Sequence, residues 1–218
     1  MTVRDTLRAA GFRAIRAALG LRRPSGRANA RALQRRSESL EALLLREAVP
    51  SDIPHLAALH VAAWNDAYAP LMSGPSVAIR ERQWRQAFEH PGDWSCYLLL
   101  HSNGHLVGFT KGVFRHGHDI PGELNKLFLA REYQRMGLGR RLVGQVVQRF
   151  RGAGLSAMAA YVDPRNPSCG FFERLGGRWL VEPEGYVNFS WYIWRDLLLL
   201  ERYCSARLPN PHLQLPSA

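Results

Sequence analysis

A chain of 218 residues with 46% apolar and 22% charged side chains can bury one sizeable core and leaves no room for a second catalytic domain. Its apolar stretches, such as residues 155–162 and 197–200, are far shorter than the roughly 20 residues that span a bilayer, which predicts a soluble protein. The net charge of +11 is lopsided, because residues 1–36 hold ten arginines against one aspartate and carry +9, leaving only +2 for everything after them.

Within the basic segment, Val3, Leu7, Ala10, Ala14, Ala18 and Leu21 recur near helical spacing among Arg4, Arg8, Arg13 and Arg16, until Pro24, Ser25 and Gly26 break the pattern. Residues 1–40 read as a basic tail, either partly ordered in solvent or folded as an amphipathic helix. The helical form suits a weak contact with an anionic membrane or a nucleic acid, and the Arg-rich, acid-poor composition also suits an imported presequence, although serine is scarce. The folded unit is expected over residues 41–198 and opens with a strand at 43–46. A helix follows, capped by Ser51 or Asp52, with Pro54 in its first turn, Leu56, Leu59, Ala63, Trp64 and Ala67 inward, and Pro70 at its end. A second helix, 76–88, sets Trp84 and Phe88 one turn apart before Pro91 and Gly92. Strands at 96–101 and 106–115 flank Asn103-Gly104, the dipeptide best suited to the positive φ angles of a tight hairpin. Then come a strand at 123–129, a helix at 137–151, a buried strand at 156–162, a helix at 168–175, and strands at 178–181 and 187–194. Residues 199–218 are left as a C-terminal tail, and the order of elements is β-αα-βββ-α-β-α-ββ.

Between the strand at 123–129 and the helix at 137–151 lies Gln134-Arg135-Met136-Gly137-Leu138-Gly139. Two glycines let the backbone turn sharply and approach a ligand, and the new helix offers unpaired N–H groups and the positive end of its dipole. The expected guest is a pyrophosphate. Leu138, Leu142, Val143, Val146, Val147 and Phe150 share one helix face, with Arg140, Arg141, Gln145, Gln148 and Arg149 elsewhere, and Gly144 allows a close approach to the sheet. A Rossmann site would need a third glycine at fixed spacing and an acidic residue ending the next strand, but that strand ends in Tyr161-Val162. No Gly-Lys-Ser/Thr occurs, which excludes a P-loop.

The run Glu123-Leu124-Asn125-Lys126-Leu127-Phe128-Leu129, followed by Tyr133-Gln134-x-x-Gly137-x-Gly139, resembles the acyl-CoA-binding core of the GCN5-related N-acetyltransferases (GNAT). Asn166-Pro167-Ser168-Cys169-Gly170-Phe171-Phe172-Glu173, ending in Gly176-Gly177, is similar to the Asn-Pro segment after that family's fifth strand. The resemblance covers about residues 42–197. It implies an α/β (α+β) fold with a mixed, mainly antiparallel sheet, whose fourth and fifth strands splay into a cleft flanked by helices. It implies acetyl-CoA as cosubstrate, with no metal, and transfer to a primary amine of a small molecule or peptide by direct attack in a ternary complex. The pyrophosphate would lie on the backbone from Gln134 through Arg135, Met136, Gly137, Leu138 and Gly139 to Arg140, with Arg135, Arg140 and Arg141 screening its charge. Leu127, Phe128 and Leu129 would pair with the pantetheine arm, Asn166 would bind that arm or the acceptor, and Phe172 would adjoin it.

Glu123 is the candidate base, since an alkylammonium must lose a proton before attack; a strand-end glutamate in solvent is the alternative. Phe172 departs from the family's usual tyrosine and has no proton to give the leaving thiolate, which leaves Cys169, Tyr161 or solvent, or no acid at all. Cys169 itself reads as a small helix residue rather than a nucleophile. Trp64, Asn65, Tyr68 and Trp84 would line an acceptor pocket by resemblance, or belong to the core. His116-x-His118-Asp119 reads as a loop rather than a metal site. Cys96, Cys169 and Cys204 form no CxxC pair, which favours free thiols and a reducing, cytoplasmic setting. A noncatalytic CoA-binding or RNA-associated module is the rival function, and monomer and homodimer both remain compatible.

Overall fold

The patterns of alternation and helical period resolve into seven strands and seven α-helices in the computed structural model, which describes residues 2–20, 23–69 and 72–205. Leu21 and Pro70, and the tail beyond residue 205, lie outside the described residues. In chain order the elements are α1 (Val3–Gly20), α2 (Gly26–Arg35), β1 (Leu44–Glu47), α3 (Ile53–Tyr68), α4 (Val77–Glu89), β2 (Trp94–Leu100), β3 (Leu106–Phe114), β4 (Gly122–Leu129), α5 (Leu138–Gly152), β5 (Met158–Tyr161), α6 (Cys169–Arg174), β6 (Arg178–Val181), β7 (Val187–Trp194) and α7 (Leu197–Ser205).

The strands form one sheet in the order β1-β2-β3-β4-β5-β7-β6, antiparallel throughout except for the parallel pair β4–β5. The α3–α4 pair packs on one side through Leu56, Ala57 and Trp84 against Leu98 and Phe109. The α5–α7 pair covers Leu124, Met158 and Tyr192 with Val143, Val146, Phe150, Leu197 and Leu200. All six apolar α5 positions expected inward are buried, and each such side chain contributes about 1.5–3 kcal/mol of burial free energy.

Local chemistry explains the boundaries. The Ser76 hydroxyl accepts the Ile79 N–H and starts α4. Asp52 does not cap α3 through its side chain; it accepts instead from Arg46 and from the Val49 N–H, tying β1 to the helix entrance. At the hairpin only Gly104 takes a positive φ, +84°, while the His101 carbonyl accepts the Gly104 N–H and Asn103 Oδ1 accepts the His105 N–H. That is a turn followed by a left-handed glycine, rather than a two-residue turn with positive φ at both positions.

Three segments differ from the sequence expectation. Ser25 does not merely end a helical pattern; its hydroxyl accepts the Ala28 N–H and caps α2. The basic segment is a pair of packed helices, with Ala9 and Phe12 of α1 against Val187 and Phe189, and Leu33 of α2 against Tyr133, Leu138 and Leu142. Past residue 197 the chain continues as α7, and Gly144 serves that helix rather than the sheet, because a Cβ on it would lie 3.3 Å from the Cys204 Cβ. No helix among the described residues is long and apolar enough to cross a membrane, and Cys96, Cys169 and Cys204 are free thiols.

Candidate donor-binding and transfer site

Strands β4 and β5 are joined only at Gly122–Met158 and Glu123–Ala159. Beyond these two rungs β4 pairs with β3 alone and β5 with β7 alone, so the two strands part into a cleft. Over Leu127, Phe128 and Leu129, alternate backbone groups of β4 face that cleft without a strand partner. Leu127 and Leu129 turn toward the cluster under the start of α5, and Phe128 turns to the α3 side. Residue Asn125 is an extra residue in β4, since Lys126 is opposite Lys111 but Leu124 is opposite Gly112, and this bulge re-aims the side chains around it.

The loop after β4 closes the cleft. Gln134 ties it back by donating its side-chain amide to the Leu129 carbonyl at 3.1 Å. Arg135 and Gly137 take left-handed conformations, with φ of +63° and +86°, and a Cβ on Gly137 would meet nothing within 4 Å. The N–H groups of Arg135, Met136, Gly137, Leu138 and Gly139 have no hydrogen-bond partner among the described residues. Five open donors at the start of a 15-residue helix make this loop the candidate anion cradle. Of the three arginines expected to screen a phosphate, Arg135 stays on the loop and Arg140 follows in the first turn, whereas Arg141 turns to the residue just before β1 and donates to the Leu43 carbonyl at 3.2 Å.

The basic N-terminal segment crosses the mouth of this cleft. Arg16 donates to the Pro164 carbonyl at 2.6 Å and to Glu173 at 2.7 Å. Arg23 donates to Ser168 Oγ at 3.3 Å and lies 4.0 Å from Asp66, which also accepts from Arg131. On the other bank Asn29 donates to the carbonyls of Arg131 and Gln134, at 2.9 and 3.2 Å. Gly26 passes so near Arg135 that a Cβ there would fall 2.3 Å from the Arg135 carbonyl oxygen, an approach only glycine allows. Burial, and after it Arg135 and Arg131, push the Arg23 guanidinium down. A hollow of about 220 Å³ remains between Leu19, Arg23, Asp66, Arg131 and Pro167.

Glu123 sits at the last shared rung, 8% exposed. One carboxylate oxygen is paired with Arg115, and the other accepts from Asn125 Nδ2 at 2.6 Å. Asn125 Oδ1 in turn accepts from Lys126 Nζ at 2.8 Å, giving the chain Lys126–Asn125–Glu123–Arg115. Across the cleft, buried Asn166 donates to the Tyr68 hydroxyl at 2.7 Å and accepts the Ser168 N–H at 2.8 Å. Because Tyr68 receives that bond through its oxygen, its own O–H is left to donate, and burial pushes its ionisation up. From sequence Tyr68 is a pocket wall or a core residue; its meeting with Asn166 joins residues 98 positions apart.

The remaining candidates separate by burial. Phe172 stacks on Tyr192 at 5.7 Å within the core beneath α6. Burial pushes the Cys169 thiol up to about 11, which keeps it protonated and unreactive near neutral pH. Tyr161 is exposed against Trp191. Trp64 packs at a tilt on Tyr68, with ring centres 4.9 Å apart, beside exposed Asn65, while Trp84 is buried in the core under α4. His116 pairs with Asp93 at 2.9 Å on the surface.

Residues 54–177 match the model of the acetyltransferase (GNAT) family. The chain is 27% identical over 134 residues to an uncharacterized N-acetyltransferase, YuaI, of Bacillus subtilis, covering 59% of this chain and 76% of that one. A probable N-acetyltransferase of Mycobacterium tuberculosis is 26% identical over 137 residues, covering 60% and 76%. Among solved structures, the fold is similar to the PaiA N-acetyltransferase of Thermoplasma acidophilum in complex with coenzyme A, with a TM-score of 0.57, 17% identity, and coverage of 69% of this chain and 96% of that one. It is also similar to the spermidine N-acetyltransferase of Vibrio cholerae in complex with CoA and spermine, with a TM-score of 0.54, 16% identity, and coverage of 73% and 99%.

Proposed function

Because the chain belongs to the GNAT acetyltransferase family, we propose that it transfers an acetyl group from acetyl-CoA to a primary amine of a small molecule or peptide, by direct attack in a ternary complex. The observation that carries this proposal is the row of five unpartnered N–H groups from Arg135 to Gly139, placed where two splayed strands meet a helix start. Acetyl-CoA supplies the acyl group as a thioester. The loop N–H groups hold its pyrophosphate, and the cleft edge of β4 at Leu127–Leu129 holds the pantetheine arm by strand-like hydrogen bonds. One N–H of that edge polarises the thioester carbonyl, where it favours the charge that develops during attack.

Glu123 accepts the proton lost by the ammonium, through a water, since both its oxygens are engaged. The amine nitrogen then bonds to the carbonyl carbon, the C–S bond breaks, and the sulfur departs with its electron pair. Tyr68, held by Asn166 with its O–H free, supplies a proton to that sulfur, regains one through water from the second hydrogen that the nitrogen sheds as the amide forms, and takes the part that Phe172 cannot play. A small amine as acceptor is in keeping with the spermidine acetyltransferase among the structural neighbours. Three free cysteines fit a cytoplasmic setting.

The test is an amine panel with acetyl-CoA and detection of released thiol. Amine-dependent release is expected, and donor binding without turnover of any amine would favour the noncatalytic CoA-binding module that Phe172 raises.

A further inference from the structure

On the α3–α4 side of the sheet, three cations gather where the re-aimed bulge of β4 brings them together. Lys126 and Lys111 are register partners across β3–β4, and Arg80 approaches from α4, close enough to act on Lys126 electrostatically. All three are half-buried, so solvent and ligand can reach them. Their partners are few and neutral. Lys126 Nζ donates to Asn125 Oδ1, Lys111 Nζ lies 4.4 Å from the centre of the Trp94 ring and 5.5 Å from that of Trp84, and Arg80 donates to Gln83. Among the described residues no carboxylate accepts a hydrogen bond from any of the three, and Glu123, which acts on Lys126 electrostatically, is occupied by Arg115 and Asn125.

Unpartnered polar atoms point the same way. Arg80 Nε and Trp84 Nε1 are buried without a hydrogen-bond partner, and so is Nδ1 of His60. His60 and Trp84 are each 2% exposed, and the His60 ring packs between Trp84 and Phe128. Buried polar groups left unsatisfied, beside cations that no carboxylate hydrogen-bonds, raise the free energy of the empty protein and lower that of any complex supplying the missing partner. The electrostatics agree: burial, with Lys111 and Arg80 behind it, pushes the Lys126 ammonium down to about 8, and burial pushes down Lys111 and Arg80 as well.

We infer that the acceptor amine also carries an anionic group, a carboxylate or a phosphate, seated among Arg80, Lys111 and Lys126 while its nitrogen faces Glu123. This inference rests on the acetyl-transfer reading and narrows its substrate class. Such an acceptor is a zwitterion whose two charges match two adjacent poles of the cleft. A polyamine, by contrast, would bring further positive charge into a cluster that already repels it.

The experiment uses matched pairs that share an amine and differ in the anion: β-alanine against its amide, and phosphoethanolamine against ethanolamine, with spermidine as a polycationic reference. Thiol release from acetyl-CoA by the full chain should favour the anionic member of at least one pair by about tenfold or more in kcat/KM, and which pair responds separates carboxylate from phosphate. Arg80→Gln and Lys126→Met should each collapse that preference toward parity. Equal or better use of amide, ethanolamine or spermidine overturns the inference while leaving acetyl transfer standing. If no amine releases thiol, acetyl transfer fails instead, and calorimetry with coenzyme A present reads the anion site directly: no tighter binding of β-alanine or phosphoethanolamine than of its neutral partner overturns it.

Discussion

Replacing Gly137 separates the phosphate cradle from the backbone that forms it. The residue is left-handed, with φ +86° and ψ −11°, and a Cβ would meet no atom within 4 Å. Gly137→Ala therefore carries only the conformational cost of an L-residue in that region, about 1–2 kcal/mol. For a chain of this length that lowers Tm by roughly 2–8 °C. Gly137→Glu carries the same strain and adds a negative charge beside the five N–H donors. A carboxylate about 5 Å from one phosphate charge costs roughly 3 kcal/mol at an effective dielectric constant near 20, about a hundredfold in Kd. Salt would shrink that loss. Calorimetric titration with coenzyme A at two salt concentrations, beside thermal melts, should show both variants melting alike and only the glutamate variant losing the donor. Equal donor affinity in the two would remove the cradle from this loop.

Glu123→Gln should lower kcat by roughly tenfold to ten-thousandfold with donor affinity little changed, and the deficit should narrow at high pH, where the amine deprotonates in solution; a pH-independent deficit would mark Glu123 as structural. Tyr68→Phe keeps the ring on Trp64 and removes the proton donor, so it should slow turnover by roughly tenfold or more, whereas unchanged kcat would assign thiolate protonation to solvent. Arg23→Ala, at the cleft mouth beside Arg131 and Arg135, should weaken coenzyme A binding by roughly tenfold, and unaltered binding would make the N-terminal helices purely a packing element. Burial pushes His60 down to about 3. Because the unfolded chain takes up that proton near pH 6.5 and the native chain only near 3, the native state should lose stability as pH falls through this window, and His60→Phe should flatten the fall in melts.

Helix α5 was legible because its six buried apolar side chains follow one period without interruption, and β6 and β7 were legible from short apolar runs between turns. Helix α2 was not, since Leu33 is its only buried apolar side chain and its arginines resemble a solvated tail until Asn29 finds two carbonyls on the phosphate loop. The start of α7, four leucines in a row, carries no helical period. The motif residues from Gln134 to Gly139 could be found from local spacing, but the Lys126–Asn125–Glu123–Arg115 chain depends on a strand register that no local pattern encodes. The same holds for Tyr68 and Asn166, which meet only because α3 and the segment after β5 converge on one cleft.

Fold alone does not establish catalysis, so the transfer itself is the decisive quantity. The most direct measurement incubates the full chain with acetyl-CoA and an amine panel, and quantifies free thiol and N-acetylated amine in the same samples. The account predicts that both accumulate one for one, in an amine-dependent manner, and that both fall together in Gly137→Glu. Acetyl-CoA that binds yet yields no acetylated amine would contradict the account and leave a CoA-binding module in its place.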